Sequence, residues 1–292
     1  GSFAAAIYDT QSRELRLVNG RLGVPLLYYA QHNGRLLFGS SVASLLADPQ
    51  LPRAVNSTAI AELLSYEYAL NQKTLLESVT TLPAASLLIW REGTITLRHY
   101  WQLRFAESTE LKRYPEYLGQ LIALLRQSLK RQLPADLPAG INLSGGFDSR
   151  VALGLLNEQR SQMDLQAYTF GIPGCDDVRI AKELTHTVKV AHKVYELQPD
   201  YLIGQAELGV RLTDGMESCV HMHALANVSA QAKDVKILYT GYILDSIISP
   251  DANETWLAHY NDNDAASILY GDIRAGFRNA ELSTIFSDSF WQ

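Results

Sequence analysis

The 292 residues suffice for two ordinary domains or one large one, and 47% hydrophobic with 19% charged content predicts a sizeable buried core and excludes a disordered chain. A formal net charge of -6 argues against broad electrostatic capture of nucleic acid or an anionic membrane. The two cysteines, Cys175 and Cys219, form no CxxC pair and give no disulfide framework, so free thiols in a reducing compartment are expected.

In chain order, residues 3 to about 100 read as β-rich. Phe3–Tyr8, Glu14–Val18, Leu26–Ala30 and Arg35–Ser40 are short apolar runs bounded by Asp, Asn or Gly turn chemistry. His32-Asn33-Gly34 predicts a tight hairpin, because Asn-Gly accepts positive φ. Helices are expected at Val42–Leu46 and at Ser57–Glu67, the second capped by Asn56 or Ser57. Ser86–Trp90 and Thr94–Tyr100 predict a hairpin around Glu92-Gly93, completing an α+β block with an antiparallel sheet.

Glu107–Arg113 is polar and precedes Pro115, which reads as a linker. A long amphipathic helix follows over Pro115–Gln132, with Leu118, Leu121, Ile122, Leu125 and Leu129 on one face. Beyond Pro134 and Pro138 strands and helices alternate: strand Ala139–Leu143, helix Arg150–Glu158, strand Leu165–Phe170, helix Asp176–Lys189 and strand His192–Glu196. After a mostly helical stretch, Val235–Thr240 is a further buried strand. That alternation predicts a parallel, doubly wound α/β sheet. A strand already under way at Phe3, and a last segment Phe286–Gln292 without a cap, predict an excerpt of a longer chain. No uncharged apolar run reaches membrane-spanning length and no basic-then-apolar leader opens the chain, so a soluble, cytoplasmic protein is expected.

The segment that carries chemistry is Ser144-Gly145-Gly146-Phe147-Asp148-Ser149, between a strand and a helix. Two adjacent glycines let a ligand approach the backbone. The loop amides and the first helical turn would converge on an anion, with Ser144 and Ser149 adding hydroxyls. Asp148 would repel a phosphate directly and is better used to hold Mg²⁺ against it. The segment lacks the GxxxxGK[ST] pattern of a Walker A loop. The plain alternative is a Gly-Gly turn with capping serines and no ligand.

SGGxDS directly after an apolar strand resembles the PP-loop of ATP pyrophosphatases, which split ATP between the α- and β-phosphates. Phe3–Asp9, Gly23–Tyr29 and Leu37–Ser41 resemble the second half of the glutaminase domain of asparagine synthetase, and Thr74-Leu75 through Leu82-Pro83 to His99–Trp101 resembles the strand pair that closes it. Tyr168–Gly171, Asp176–Ala181 and Ile237–Asp245 are similar to that family's later ATP-domain motifs.

The resemblance implies a partial Ntn-type, glutamine-amidotransferase-like antiparallel domain over residues 1–106 and a linker over 107–114. A PP-loop ATP pyrophosphatase domain, incomplete at its C-terminus, would occupy 115–292. It also implies a ligase of the asparagine synthetase type that adenylates a carboxylate, aspartate in the parent family, and passes it to ammonia or an amine. Ser144, Gly145, Gly146, Asp148 and Ser149 would hold the ATP phosphates. Leu143 and Phe170 would lie beside the adenine, and Gly241 near the ribose or α-phosphate. Asp148 and Asp245 would share Mg²⁺ and serve catalysis. The implied partners are small molecules, with no nucleic acid or membrane; a homodimer is compatible.

Three departures stand out. Class II amidotransferases use an N-terminal Cys as nucleophile; Gly1 stands here, so a chain beginning at Gly1 is expected not to hydrolyse glutamine. The family's SGxGxDE reads Thr240-Gly241-Tyr242-Ile243-Leu244-Asp245-Ser246, keeping the Asp and losing the Glu. Family members run on further, with a catalytic lysine region and acceptor contacts that are expected to lie outside these 292 residues. β-Lactam synthetases and lasso-peptide cyclases, with a dead glutaminase domain, and an ATP-binding pseudoenzyme are therefore alternatives. Asp177 replaces a more usual Glu, and Arg150 stands where the family often has Ser; a phosphate contact and a surface ion pair are both open for it. His221 and His223 lack a third metal ligand at suitable spacing, His186 and His192 carry no pattern, Asp214-Gly215 reads as a turn, and the 15 tyrosines are scattered.

Overall fold

A computed structural model describes residues 1–104, 113–133, 137–159, 164–217 and 219–241. They fall into two compact units, one holding residues 1–104, 206–217 and 219–221, the other 113–133, 137–159, 164–205 and 222–241.

The first unit opens with strands β1 (Ala4–Asp9), β2 (Glu14–Asn19), β3 (Tyr28–His32) and β4 (Arg35–Gly39). Helices α1 (Val42–Leu45) and α2 (Ser57–Tyr66) come next, then the two-residue β5 (Thr80–Thr81), β6 (Ser86–Arg91) and β7 (Thr94–His99). Two antiparallel sheets result, ordered β1-β2-β6-β7 and β4-β3-β5. Side chains alternate between the faces of the second sheet, as period-2 strands require. Tyr28 and Ala30 pack with Val42 and Leu45 of α1. Tyr29 and Leu36 pack with Leu17 and Leu88 of the first sheet. Asn33 and Gly34 carry the positive φ expected of that hairpin. Fully buried Asn19 is stitched in: its amide donates to the carbonyls of Leu82 and Pro83 (3.2 and 2.9 Å) and its Oδ1 accepts from Ser86 N (3.1 Å).

In the second unit α3 (Tyr114–Gln132) starts with Pro115 in its first turn, where a missing N–H costs nothing. Its Arg126 forms a two-pronged ion pair with Glu158 at 2.7 and 2.8 Å. There follow β8 (Ala139–Asn142), α4 (Phe147–Glu158), β9 (Leu165–Gly171), α5 (Asp176–Val188) and β10 (Ala191–Glu196). Helix α6 (Tyr201–Thr213) and a 3₁₀ turn, Cys219–Ala224, each run from one unit into the other, and α7 (Leu225–Asp234) and β11 (Ile237–Tyr239) complete the second unit. The four strands pair in parallel in the order β10-β9-β8-β11. Ala139, Ile141, Leu153, Leu156, Leu165 and Ala167 form the core between this sheet and its helices.

The chain steps outward from β8 to β9 to β10, then returns to add β11 on the other side of β8. Such a reversal of direction opens a crevice at the carboxyl ends of the two flanking strands. The antiparallel block and the parallel α/β sheet agree with the fold class expected from the sequence. Helix α4 differs in one respect: it begins at Phe147, three residues before Arg150. The residues that read as loop are already its first turn, because Gly146 supplies the extended N-cap conformation. Among the described residues no helix is long and apolar enough to cross a membrane.

Candidate functional site

Strand β8 ends at Asn142, and Leu143 leads into the Ser144–Ser149 loop at the strand's carboxyl end. Leu143 is buried and both of its backbone groups are engaged. Its N–H donates to Tyr168 O (2.8 Å) and its carbonyl accepts from Thr169 Oγ1 (2.7 Å). The two loop serines tie the turn together. Ser144 N donates to Ser149 Oγ (3.1 Å), the two hydroxyls lie 3.0 Å apart, and Gly146 N donates to Ser144 Oγ (3.2 Å). Ser149, only 6% exposed, has the carbonyls of Ser144 and Gly146 within donating distance, both 3.2 Å. Both hydroxyls thus serve the loop's own shape.

The donors that face the loop are those of the first turn of α4, which begins at Phe147. These have no carbonyl four residues back within the helix. Gly146 gives α4 no side-chain cap, as Arg113 gives none to α3 and Cys175 none to α5; α4 differs from them in following a glycine pair at the carboxyl end of β8. A helix N-terminus behind a glycine pair offers backbone N–H groups and the positive end of the helix dipole to one spot.

Asp177 is the residue whose part the sequence did not reveal. From the first turn of α5 its Oδ1 accepts from Gly145 N at 2.7 Å, fixing the loop against a neighbouring helix. A Cβ added at Gly145 would lie 3.0 Å from that oxygen and from Ile180 Cδ1, so a side chain there would press on the contact with Asp177. The residue is 32 positions away, and only the fold of β9 brings it near.

Gly241 follows β11 and lies against the start of α4. A Cβ there would come within 2.8 Å of Asp148 C and Ser149 N. The structure therefore brings together Asp148, Ser149 and Gly241, three of the expected site residues. Phe170 sits at the carboxyl end of β9, half-buried, its ring 5.1 Å from that of His223 and tilted by 52°. His223 was singled out in the sequence only as an unlikely metal ligand, and it is the neighbour of the predicted adenine-side residue. Asp245 lies outside the described residues. Among the described residues no three His, Cys, Asp or Glu side chains cluster as a metal site.

Behind the loop, Thr169 Oγ1 also meets His192 Nε2 at 2.8 Å, and His192 Nδ1 lies 3.3 Å from Thr185 Oγ1 on α5. Burial, and then the charge of Lys182, hold His192 below the ordinary histidine value. The Asp214-Gly215 turn has positive φ at both residues, and the Asp214 carboxylate accepts from Val42 N (2.9 Å) and Ala43 N (3.0 Å). It acts as a cap for α1 contributed from 172 residues away.

Comparison with known proteins matches residues 1–101 to a glutamine amidotransferase domain and residues 120–247 to asparagine synthase. The chain is 26% identical over 150 residues to glutamine-hydrolyzing asparagine synthetase 3 of Bacillus subtilis strain 168, covering 51% of this chain and 24% of that protein. It is 27% identical over 286 residues to glutamine-hydrolyzing asparagine synthetase 2 of the same strain, covering 88% and 38%. The amidase chry2 of Gibberella zeae is 23% identical over 296 residues, covering 90% and 43%. The chain spans less than half the length of each of these relatives.

Proposed function

The chain is an asparagine-synthetase-related protein, and on that premise we propose that it is an ATP-dependent ligase that activates a carboxylate and passes it to ammonia or an amine. The observation that carries this reading is the uncapped N-terminus of α4 behind Ser144-Gly145-Gly146, at the carboxyl end of β8, where the strand order reverses. The first-turn amides would take the phosphates. Gly241, pressed against Asp148 and Ser149, leaves room for the nucleotide where a side chain would displace the helix start. Leu143 and Phe170 would border the base.

Chemically, an oxygen of the acid attacks the α-phosphorus, the bond to the β-phosphate oxygen breaks, and pyrophosphate departs. Ammonia or an amine then displaces AMP at the acyl carbon. Holding acid and nucleotide in line supplies much of the rate. Asp148 offers a hard carboxylate oxygen at the loop, which fits Mg²⁺, an ion usually held by one or two carboxylates together with phosphate oxygens. Asp148 and Asp245 would hold it, and there it would offset charge on the phosphates. Residues 1–106 would form the amidotransferase-type domain and 115–292 the ATP domain.

ATP–pyrophosphate exchange by the full-length protein, with aspartate and a panel of other acids, tests the reading. Label should enter ATP only when the right acid is present; no exchange with any acid would refute it. A second reading follows from the alignment with the amidase chry2 over 90% of this chain. An amidase reaction needs no nucleotide, so ammonia release from an amide without ATP would favour it.

A further inference from the structure

Arg150 is the loop-adjacent residue to which the site above gives no part. It is the fourth residue of α4, and helical side chains lean toward the N-terminus of their helix. Its Nε stands 3.3 Å from Gly146 O, in donating position, and its guanidinium carbon stands 4.1 Å from the centre of the Phe147 ring. Phe147 is 77% exposed, so its ring adds little to the core and serves as the face on which the guanidinium rests.

The effect is to fix a full positive charge at the amino end of α4, the end that the helix dipole already makes favourable to an anion. A guanidinium has five N–H donors, and among the described residues only the one on Nε is used. No described carboxylate pairs with it, whereas in the same unit Arg126 holds one and Arg179 holds two. The surface ion pair left open by the sequence is therefore not formed among the described residues. An oriented guanidinium with four donors to spare suits a ligand with several phosphate oxygens.

We propose that Arg150, oriented by Phe147 and the Gly146 carbonyl, binds the β- and γ-phosphates of ATP and stabilises them as they leave as pyrophosphate. This rests on the ATP reading above. As the bond between the α-phosphorus and the bridging oxygen breaks, its electron pair stays on that oxygen and the departing pyrophosphate gains negative charge. Arg150 would hold that charge through N–H donors, and no proton need move.

Calorimetry of the full-length protein with ATP, inorganic pyrophosphate and AMP, each with Mg²⁺, provides the test. Arg150→Gln should weaken ATP and pyrophosphate about 10- to 100-fold, the scale of a charge-assisted contact, and leave AMP within about twofold. Arg150→Lys should recover part of the loss. Phe147→Leu, which keeps the charge but frees it from the ring, should cost pyrophosphate affinity about two- to fivefold. If the wild type binds ATP and Arg150→Gln binds pyrophosphate as well as the wild type does, the assignment falls and the ATP reading stands. Parallel loss of AMP binding would also overturn it, since that marks a distorted loop. A wild type that binds neither ATP nor pyrophosphate overturns both.

Discussion

Asp177 holds the Gly145 amide with a charged acceptor, a kind of hydrogen bond that contributes roughly 1.5–3 kcal/mol. Asp177→Ala should release the loop and weaken ATP by about tenfold, while Asp177→Asn keeps an acceptor oxygen in place and should stay within about twofold. Nucleotide titrations of the two variants check this, and equal losses would mean that the carboxylate charge matters more than the loop's register. His192 behaves differently. Because its folded-state value is depressed, the unfolded chain takes up a proton near pH 6.5 that the folded chain refuses. The stability tied to this site is thus intact above about pH 6.5 and declines as pH falls toward the lower folded value. His192→Gln should flatten the fall in stability below about pH 6.5, as followed by urea unfolding. Neither role was legible in the sequence. Asp177 and His192 act through partners on other elements, and only the parallel packing of β8, β9 and β10 brings those partners within reach.

Glycines at element ends separate what the ligand needs from what the fold tolerates. Gly241→Ala would force a Cβ to 2.8 Å from backbone atoms of Asp148 and Ser149, so the start of α4 must shift. Binding of ATP should fall by more than about tenfold, since the first-turn amides lose their common aim. Gly154→Ala, in the same helix with open space around it, should leave binding unchanged and stabilise by about 0.5–1 kcal/mol. In the first unit, Asn19→Ala leaves the Ser86 amide and the Leu82 and Pro83 carbonyls short of a partner. It should cost about 3 kcal/mol by chemical denaturation. The strands and most helices around these points are readable from periodicity and turn residues, and Asn33-Gly34 and the Asn56 cap stand where the sequence predicts them. The start of α4 is not, because Phe147, Asp148 and Ser149 have loop-like composition while their backbone is helical. The cap that Asp214 gives α1 is invisible for a simpler reason: 172 residues separate donor and acceptor.

At the scale of the molecule, two regions that match different family models share one chain. The antiparallel sheets of the first unit and the parallel sheet of the second follow from two hydrophobic patterns, short alternating runs before residue 100 and strand–helix alternation after 139. The SGGFDS loop was the strongest single signal in the sequence, and the fold supports it by putting a reversal of strand order at that end of β8. What the loop does to ATP separates the proposed chemistry from other uses of the nucleotide. The direct test is product analysis after the full-length protein is incubated with ATP, Mg²⁺, a candidate acid and ammonia. The account predicts AMP and pyrophosphate in equal amounts, formed together with amide and lost in Asp148→Asn. ADP and phosphate, or ATP left intact with every acid, would contradict it.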